Sequence, residues 1–231
     1  MSRAKRFPLM AAAVLVASLP GLTGCDTTGS VSTAVETVGT PALSANPATP
    51  VDFPELTCAA FGMPQGNAVT PTVSRMRPGD PYYMEFRERD ARYIGSGHTF
   101  VVFGALDKQG RPVTRQYIGL FPLGGPAGFA AGAAVPVPAQ LTPEPGDCTI
   151  KPAVVYRVSL TRAQYQQLVA KVREKLAHPP LWSMVVYNCN QFAAELGEVA
   201  GLKTPFSIMV PANAFLHAYI RANEGDAAQG A

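Results

Sequence analysis

The sequence has few of the residues on which several classes of function depend. Its 231 residues include three histidines, four cysteines and one tryptophan, and charged residues make up 15%. No apolar run approaches the roughly 20 residues that a membrane-spanning helix needs. The histidines and cysteines form no tight cluster, so we predict no cofactor. A metal site built from His98, Cys189 and an acidic residue stays open only as a minor alternative.

The chain after Cys25 is less basic than the formal net charge of the whole sequence suggests. The formal net charge is +3, but Arg3, Lys5 and Arg6 all precede Cys25. After Cys25, 16 basic residues balance 16 acidic residues. A chain with no net charge gives no support for binding nucleic acid. Hydrophobic residues make up 47%, which is enough to build a core, so we expect a folded domain rather than general disorder.

The first 25 residues have the layout of a secretory signal. A basic start is followed by an apolar segment at residues 9–19 and then by small residues. Residues 22–25 (LTGC) resemble the bacterial lipobox. The resemblance implies cleavage before Cys25, diacylglycerol on its thiol, and a fatty acid such as palmitate on the new amine. The alternative is an ordinary secretory signal followed by a chance cysteine.

The interpretation as a lipoprotein divides the chain into four parts. Residues 1–24 are the predicted signal peptide, and residues 25–54 are the lipidated cysteine with a flexible tether rich in Thr, Ser, Ala and Pro. Residues 55–223 are the predicted folded domain, and residues 224–231 a disordered tail. We therefore expect a lipoprotein of the bacterial cell envelope that faces the periplasm, with the lipid bilayer as its first partner.

Within the domain, the first half favours strands. Residues 84–94 are charged but compatible with an extended segment, and residues 95–103 form an apolar, β-branched run typical of a buried strand. Turn residues at 107–110 and a second run at 113–121 predict a hairpin. Residues 122–147 are dominated by Gly, Ala and Pro, which indicates a long loop. The alternating segment 154–160 predicts another strand.

The second half favours helices. Thr161 can cap a helix over residues 162–176, whose apolar residues recur at helical spacing. Asn188 can cap a second helix that ends at Gly201, and Pro211 can begin a third. Antiparallel strands followed by helices predict the α+β class.

The cysteines can be sorted by compartment and surroundings. With lipid on Cys25, three remain, and the compartment outside the cytoplasm permits disulfides. Cys58 and Cys148 both lie in loop-like sequence, so we predict a disulfide between them. Cys189 is then left over, and an odd thiol in an exported protein is buried and inert, intermolecular, or reactive.

Two residues have the placement that a thiol-dependent reaction requires. Cys189 lies at the predicted start of a helix, where backbone N–H groups and the helix dipole favour a thiolate. His98 opens an apolar strand directly after Gly-Ser-Gly, which is an unusual place for a polar side chain. Of the other histidines, His178 has the sequence context of a solvated helix end, and His217 lies on the last helix.

The order of these motifs resembles the circularly permuted papain-like fold. Residues 97–100 (GHTF) lie on an early strand, and residues 187–192 (YNCNQF) begin a later helix. The Gly-Leu-Phe-Pro run at residues 119–122 is similar to one in bacterial members. The group includes PPPDE-type deubiquitinating peptidases and lecithin–retinol acyltransferase-like enzymes. The resemblance covers roughly residues 80–215 and implies that Cys189 is the nucleophile and His98 its base.

The resemblance leaves the third catalytic residue open. Gln191 occupies a position where the PPPDE pattern has histidine, and the strand after His98 offers Tyr117 or Arg115. We predict Tyr117. The expected function is a cysteine-dependent hydrolase or acyltransferase of the peptidase or amidase type, acting on amide or ester bonds, with peptidoglycan stem peptides as the substrate that the location suggests. The alternative is a non-catalytic binding or scaffolding lipoprotein whose partner is peptidoglycan or an envelope protein.

Overall fold

The structure is a computed structural model that describes residues 53–63, 66–90 and 97–226. The predicted signal peptide, Cys25 and all but the last two residues of the predicted tether lie outside these ranges and stay predictions. Within the described ranges, no helix combines the length and apolar content that crossing a bilayer requires.

A mostly antiparallel sheet with helices on one side confirms the α+β class. The five strands lie in the order β1-β7-β2-β3-β4, and only the β1–β7 pair is parallel. A separate two-stranded pair, β5 with β6, packs beside it. The strands are β1 Val73–Arg75, β2 Tyr82–Arg89, β3 His98–Ala105, β4 Gln116–Ile118, β5 Phe121–Pro122, β6 Ala139–Gln140 and β7 Val154–Leu160.

Both faces of the sheet are covered, and this explains the charged strand. Every residue of β2 and β3 is buried. Tyr82, Met84 and Phe86 alternate onto the face that meets the helices. The charged residues of β2 alternate largely onto the opposite face, where the Glu85 carboxylate accepts bonds from Arg87 and Arg157. A charged segment therefore occupies a central strand because its charges are paired inside the protein.

Three helices cover the first face of the sheet. They are α3 Arg162–Ala177, α4 Cys189–Gly197 and α5 Ala212–Glu224. Helix α3 begins where the sequence predicted, because Thr161 and Gln164 form a reciprocal capping box. A 3-10 turn extends α4 to Gly201, which has the positive φ typical of a helix end.

The predicted disulfide is confirmed and closes the second face. Cys58 and Cys148 are bonded, and both are fully buried. They form a small apolar cluster with Phe100, Val102 and Tyr117 from the back of the hairpin. The bond thus attaches the segment that begins at Phe53 to the segment that precedes β7.

Two predicted boundaries were wrong. Residues 122–147, predicted to be a structureless loop, contain β6, helix α1 Gly125–Gly132 and the start of helix α2 Pro145–Thr149. Helix α1 forms despite its three glycines because the Trp182 ring packs on Phe129 and directly against Gly132. The predicted tail also begins too early, since Glu224 lies in α5 and forms an ion pair with Arg75.

Candidate active site

A cavity of about 810 Å³ lies where β2 ends and β3 begins. His98 and Cys189 both line it, so the structure brings the two predicted catalytic residues to one site. Most of the other lining side chains are apolar, among them Phe121, Phe129, Trp182, Met184 and Met209.

Cys189 is the first residue of α4, as the sequence predicted. The Asn188 side chain accepts a hydrogen bond from the backbone N–H of Asn190 at 2.9 Å. In return, the Gln191 side chain accepts one from the backbone N–H of Asn188 at 3.0 Å. This capping box fixes the helix start, so Gln191 has a structural role at the position where the resemblance would place histidine.

The electrostatic state of the Cys189 thiol differs from the expectation. Cys189 is free and only partly exposed. The backbone N–H groups of Thr99, Asn190 and Cys189 itself point at the sulfur and lower its pKa, but burial outweighs them and leaves the pKa above its usual value. Desolvation is therefore stronger here than the helix-terminal donors on which the expectation of a thiolate rested.

The His98 imidazole lies between two aromatic rings. It stacks on Phe121 at 4.0 Å between ring centroids and on Phe100 at 5.9 Å. Its Nε2 atom is buried without a hydrogen-bond partner, close to Gly119. Burial, helped by the Arg89 guanidinium, holds the pKa of His98 well below its usual value. The imidazole is therefore neutral near pH 7 and able to accept a proton.

Strand alternation determines how the two groups reach the cavity. The Thr99 hydroxyl points to α4 and donates a hydrogen bond to Asn190 Oδ1 at 2.8 Å. His98 precedes Thr99, so its side chain leaves β3 on the opposite face. The thiol lies beside the Thr99 backbone N–H, at the end of the strand. Imidazole and thiol thus approach the cavity from different sides of the first residues of β3.

A buried charge cluster that the sequence did not reveal supports the His98 side of the cavity. Arg89, paired with His98 in the sheet, donates hydrogen bonds to Asp147 at 2.6 Å and to Glu144 at 3.1 Å. Burial raises the pKa of Asp147 to about 6, although Arg89 acts in the opposite direction. The only sequence signal was the charged segment that contains Arg89, and both carboxylate partners of Arg89 lie more than 50 positions later.

Two apolar loops are attached to the residues on either side of Cys189. The Asn188 amide donates a hydrogen bond to the Met184 carbonyl at 3.0 Å. The Asn190 amide donates one to the Val210 carbonyl at 2.8 Å. We call residues 181–187 the Met184 loop and residues 204–210 the Met209 loop. The start of α4 therefore sets the position of both loops relative to the thiol.

Tyr117, predicted as the third catalytic residue, lies away from the cavity. It shares the face of His98, but it pairs with Val102, four residues further along β3. That separation is about 13 Å at the usual rise per strand residue. Its ring contacts the Arg87 guanidinium, and its hydroxyl lies against Gly66 in the interior. The sheet face that Tyr117 occupies was predicted correctly, but its position along β3 was not.

The site combines a thiol, a neutral imidazole and backbone N–H donors around one apolar cavity. These are the groups that acyl transfer through a thioester requires. Across the described part of the chain, no three His, Cys, Asp or Glu residues are grouped closely enough to hold a metal ion. No family model matches the chain, and no curated protein or solved structure matches it either.

Proposed function

We propose that the chain is a membrane-anchored envelope lipoprotein whose domain is a cysteine-dependent hydrolase or acyltransferase. The observation that carries the proposal is that His98 and Cys189 line one cavity. The permuted papain-like fold is part of the proposal, supported by a histidine strand that precedes a cysteine helix. The anchor, through Cys25, and the periplasmic location rest on the sequence of residues 1–25.

The proposed reaction starts from a neutral His98 imidazole and a neutral Cys189 thiol. As the sulfur of Cys189 attacks a substrate carbonyl carbon, His98 takes the thiol proton. The tetrahedral intermediate collapses, the bond to the leaving group breaks, and the His98 imidazolium returns the proton to the leaving group. Water or an amine then attacks the thioester carbonyl carbon and gives its proton to His98. The C–S bond breaks, the acyl group leaves as the acid or amide, and His98 returns the proton to the sulfur of Cys189. The raised pKa of Cys189 makes this proton transfer necessary, since little thiolate is present beforehand.

The charge cluster behind His98 limits the cost of this step. An imidazolium beside a lone guanidinium would be unfavourable, and Arg89 does lower the pKa of His98. Asp147 and Glu144 bind that guanidinium and offset its charge. We assign these two carboxylates a positioning role, because they act on His98 through Arg89 and not on the substrate.

The cavity lining favours an apolar acyl group over a charged peptide. Arg89 and Glu144 are the charged groups of the lining, and they are paired with each other. Each methylene group that an acyl chain buries against Trp182 or Phe129 contributes about 0.8 kcal/mol. We therefore propose acyl esters or thioesters ahead of the peptidoglycan stem peptides that location alone suggested.

The test is trapping of the acyl-enzyme on a p-nitrophenyl acyl ester. We expect mass spectrometry to find the acyl group on Cys189, and none on the Cys189→Ser variant. Loss of a general base should slow acylation about 10²- to 10⁴-fold in His98→Gln. His178→Gln is the matched control, since His178 is exposed at the end of α3 and should acylate at the unsubstituted rate. Equal acylation rates for the unsubstituted chain, His98→Gln and His178→Gln would contradict the proposal.

A second candidate function is a non-catalytic lipoprotein that binds an apolar ligand in the same cavity. The observation that favours it is the confinement of His98 between the rings of Phe100 and Phe121, together with the raised pKa of the thiol. This function predicts that Cys189→Ser binds a fatty acid as tightly as the unsubstituted chain and that no acyl-enzyme forms.

A further inference from the structure

We propose that the Met184 loop and the Met209 loop form a docking surface for a lipid bilayer. The surface lies at the mouth of the cavity, since Met184 and Met209 both line it. It is separate from the predicted lipid on Cys25, and it does not depend on the thiol being catalytic.

The two loops contain most of the exposed large apolar side chains of the described chain. Six of the nine such residues lie in them: Leu181, Val185, Val186, Phe206, Ile208 and Met209. Phe206 is 74% exposed, Val186 71% and Met209 67%. Apolar residues that are exposed singly need no explanation, but a group of this size on two adjoining segments marks a contact surface.

The backbone of the Met209 loop points to the same conclusion. Met209 has φ of +54°, and it is the only non-glycine residue with positive φ among the described residues. This conformation costs on the order of 1–2 kcal/mol for a residue with a Cβ atom. The Met209 side chain remains largely exposed, so its own packing does not offset the cost. A strained residue that projects an apolar side chain into water indicates a contact made outside the folded chain.

The composition of the loops favours a bilayer over a protein partner. Neither residues 181–187 nor residues 204–210 include Asp, Glu, Lys or Arg. Hydrocarbon excludes charged groups, whereas protein interfaces are enriched in Arg and have a polar rim. The apolar rim also continues into an apolar cavity, so an acyl chain can pass from the bilayer to the cavity without crossing water.

The chain before the domain is long enough for the end of the domain that holds the cavity to face the membrane. Residues 26–52 separate the predicted lipidated cysteine from Phe53, the first described residue. Twenty-seven residues reach at most about 90 Å. Phe53 packs on Phe103, near the end of β3 remote from His98. The segment is therefore long enough for the opposite end of the domain, with the cavity, to turn to the membrane.

Trp fluorescence in vesicles tests the proposal directly. The full chain is reconstituted with phosphatidylcholine brominated along its acyl chains, as single variants Phe206→Trp, Val186→Trp and Val113→Trp. Trp182 is the one native Trp and gives all three the same background. Val113 is the control, because it is 50% exposed and lies in the β3–β4 connection. We expect roughly twofold or greater extra quenching at Phe206→Trp and Val186→Trp, with emission at shorter wavelengths, because both side chains would enter the acyl region.

Hydrogen exchange on the unsubstituted chain guards against a variant that misfolds. Amides of both loops should exchange more slowly with vesicles than without them, while those of residues 107–111 should not change. Quenching equal to that of Val113→Trp, or confined to one loop, would overturn the proposal. Protection without quenching would also overturn it, since a protein contact would then cover the loops. The same measurements on Cys189→Ser separate docking from catalysis, because that variant should dock unchanged.

Discussion

The His98 imidazole is in a site that favours its neutral form. It stacks on the rings of Phe121 and Phe100, its Nε2 atom is buried without a hydrogen-bond partner, and the Arg89 guanidinium adds to the effect of burial on its pKa. Protonation in the folded chain would place an unsolvated cation beside another cation. This makes His98 a base for a transient proton and also makes it a source of acid sensitivity.

We predict that His98 lowers folding stability as the pH drops below about 6.5, the usual pKa of histidine. The unfolded chain then binds a proton that the folded chain excludes, because the pKa of His98 in the folded chain is lowered. The loss should be about 1.4 kcal/mol per pH unit until the pH reaches the pKa of His98 in the folded chain. Urea denaturation between pH 5 and pH 7.5 measures it. The raised pKa of Asp147 acts in the opposite direction below about 6, so the His98 contribution is the difference between the unsubstituted chain and His98→Gln. His98→Gln should lack this component, and parallel slopes for the two proteins would contradict the prediction.

Gly119 provides a second prediction at the residue scale. A Cβ atom there would lie 2.8 Å from His98 Nε2 and 3.1 Å from the Phe121 ring. Gly119→Ala should push the imidazole out of place and slow acylation of Cys189, at a stability cost of about 1–3 kcal/mol. Stopped-flow acylation and thermal unfolding measure the two effects. Unchanged acylation would show that the imidazole position is not needed.

At the scale of elements, the start of α4 holds the site together. Asn190 is buried; it accepts a bond from the Thr99 hydroxyl and donates one to the Val210 carbonyl. It therefore connects β3, α4 and the Met209 loop. Asn188 has the corresponding connection to the Met184 loop.

Asn190→Ala should destabilise the chain by about 1–3 kcal/mol, because it leaves the buried Thr99 hydroxyl and the Val210 carbonyl without their partner. It should also speed hydrogen exchange across the Met209 loop. The matched control is Asn213→Ala, since Asn213 is exposed near the start of α5. Similar unfolding free energies for the two variants would contradict the prediction.

The sequence predicted elements where local signals were sufficient. Helix α3 was placed within one residue, because Thr161 caps it and its apolar residues have a helical period. The β3–β4 hairpin followed from two apolar runs around a turn. Helix α1 was missed because contacts with Trp182, more than 45 residues away, stabilise a segment whose three glycines disfavour a helix.

The site could be predicted only in part for a related reason. Cys189 and His98 were identifiable because each has an unusual local setting. Arg89 and Asp147 were not, because a charged residue becomes a site residue only when distant segments bury it. Tyr117 was placed on the correct face by alternation, but its position along the face depends on the register of the hairpin, which turn residues alone did not fix.

For the whole molecule, the Cys58–Cys148 disulfide should be the largest single covalent contribution to stability. It joins residues 90 positions apart. The chain-entropy model assigns a loop of that length about 4–5 kcal/mol. The double variant Cys58→Ser with Cys148→Ser should lose about that much in urea denaturation under oxidising conditions. Cys189→Ser removes a thiol without removing the cross-link and should lose much less; equal losses would contradict the entropic explanation.

The strand order β1-β7-β2-β3-β4 constrains how this chain can assemble. β7 lies between β1 and β2, and Glu88 pairs with Val154, 66 residues later. Until β7 is in place, the hairpin of β2 and β3 has an unpaired edge, and β1 has no neighbour. Strand pairs so far apart in sequence form slowly, and the unpaired edge of β2 can meanwhile form hydrogen bonds with another chain. A chain that is synthesised from its N-terminus cannot complete this sheet until residue 160 has emerged, so the partly emerged chain is the form most in need of a chaperone.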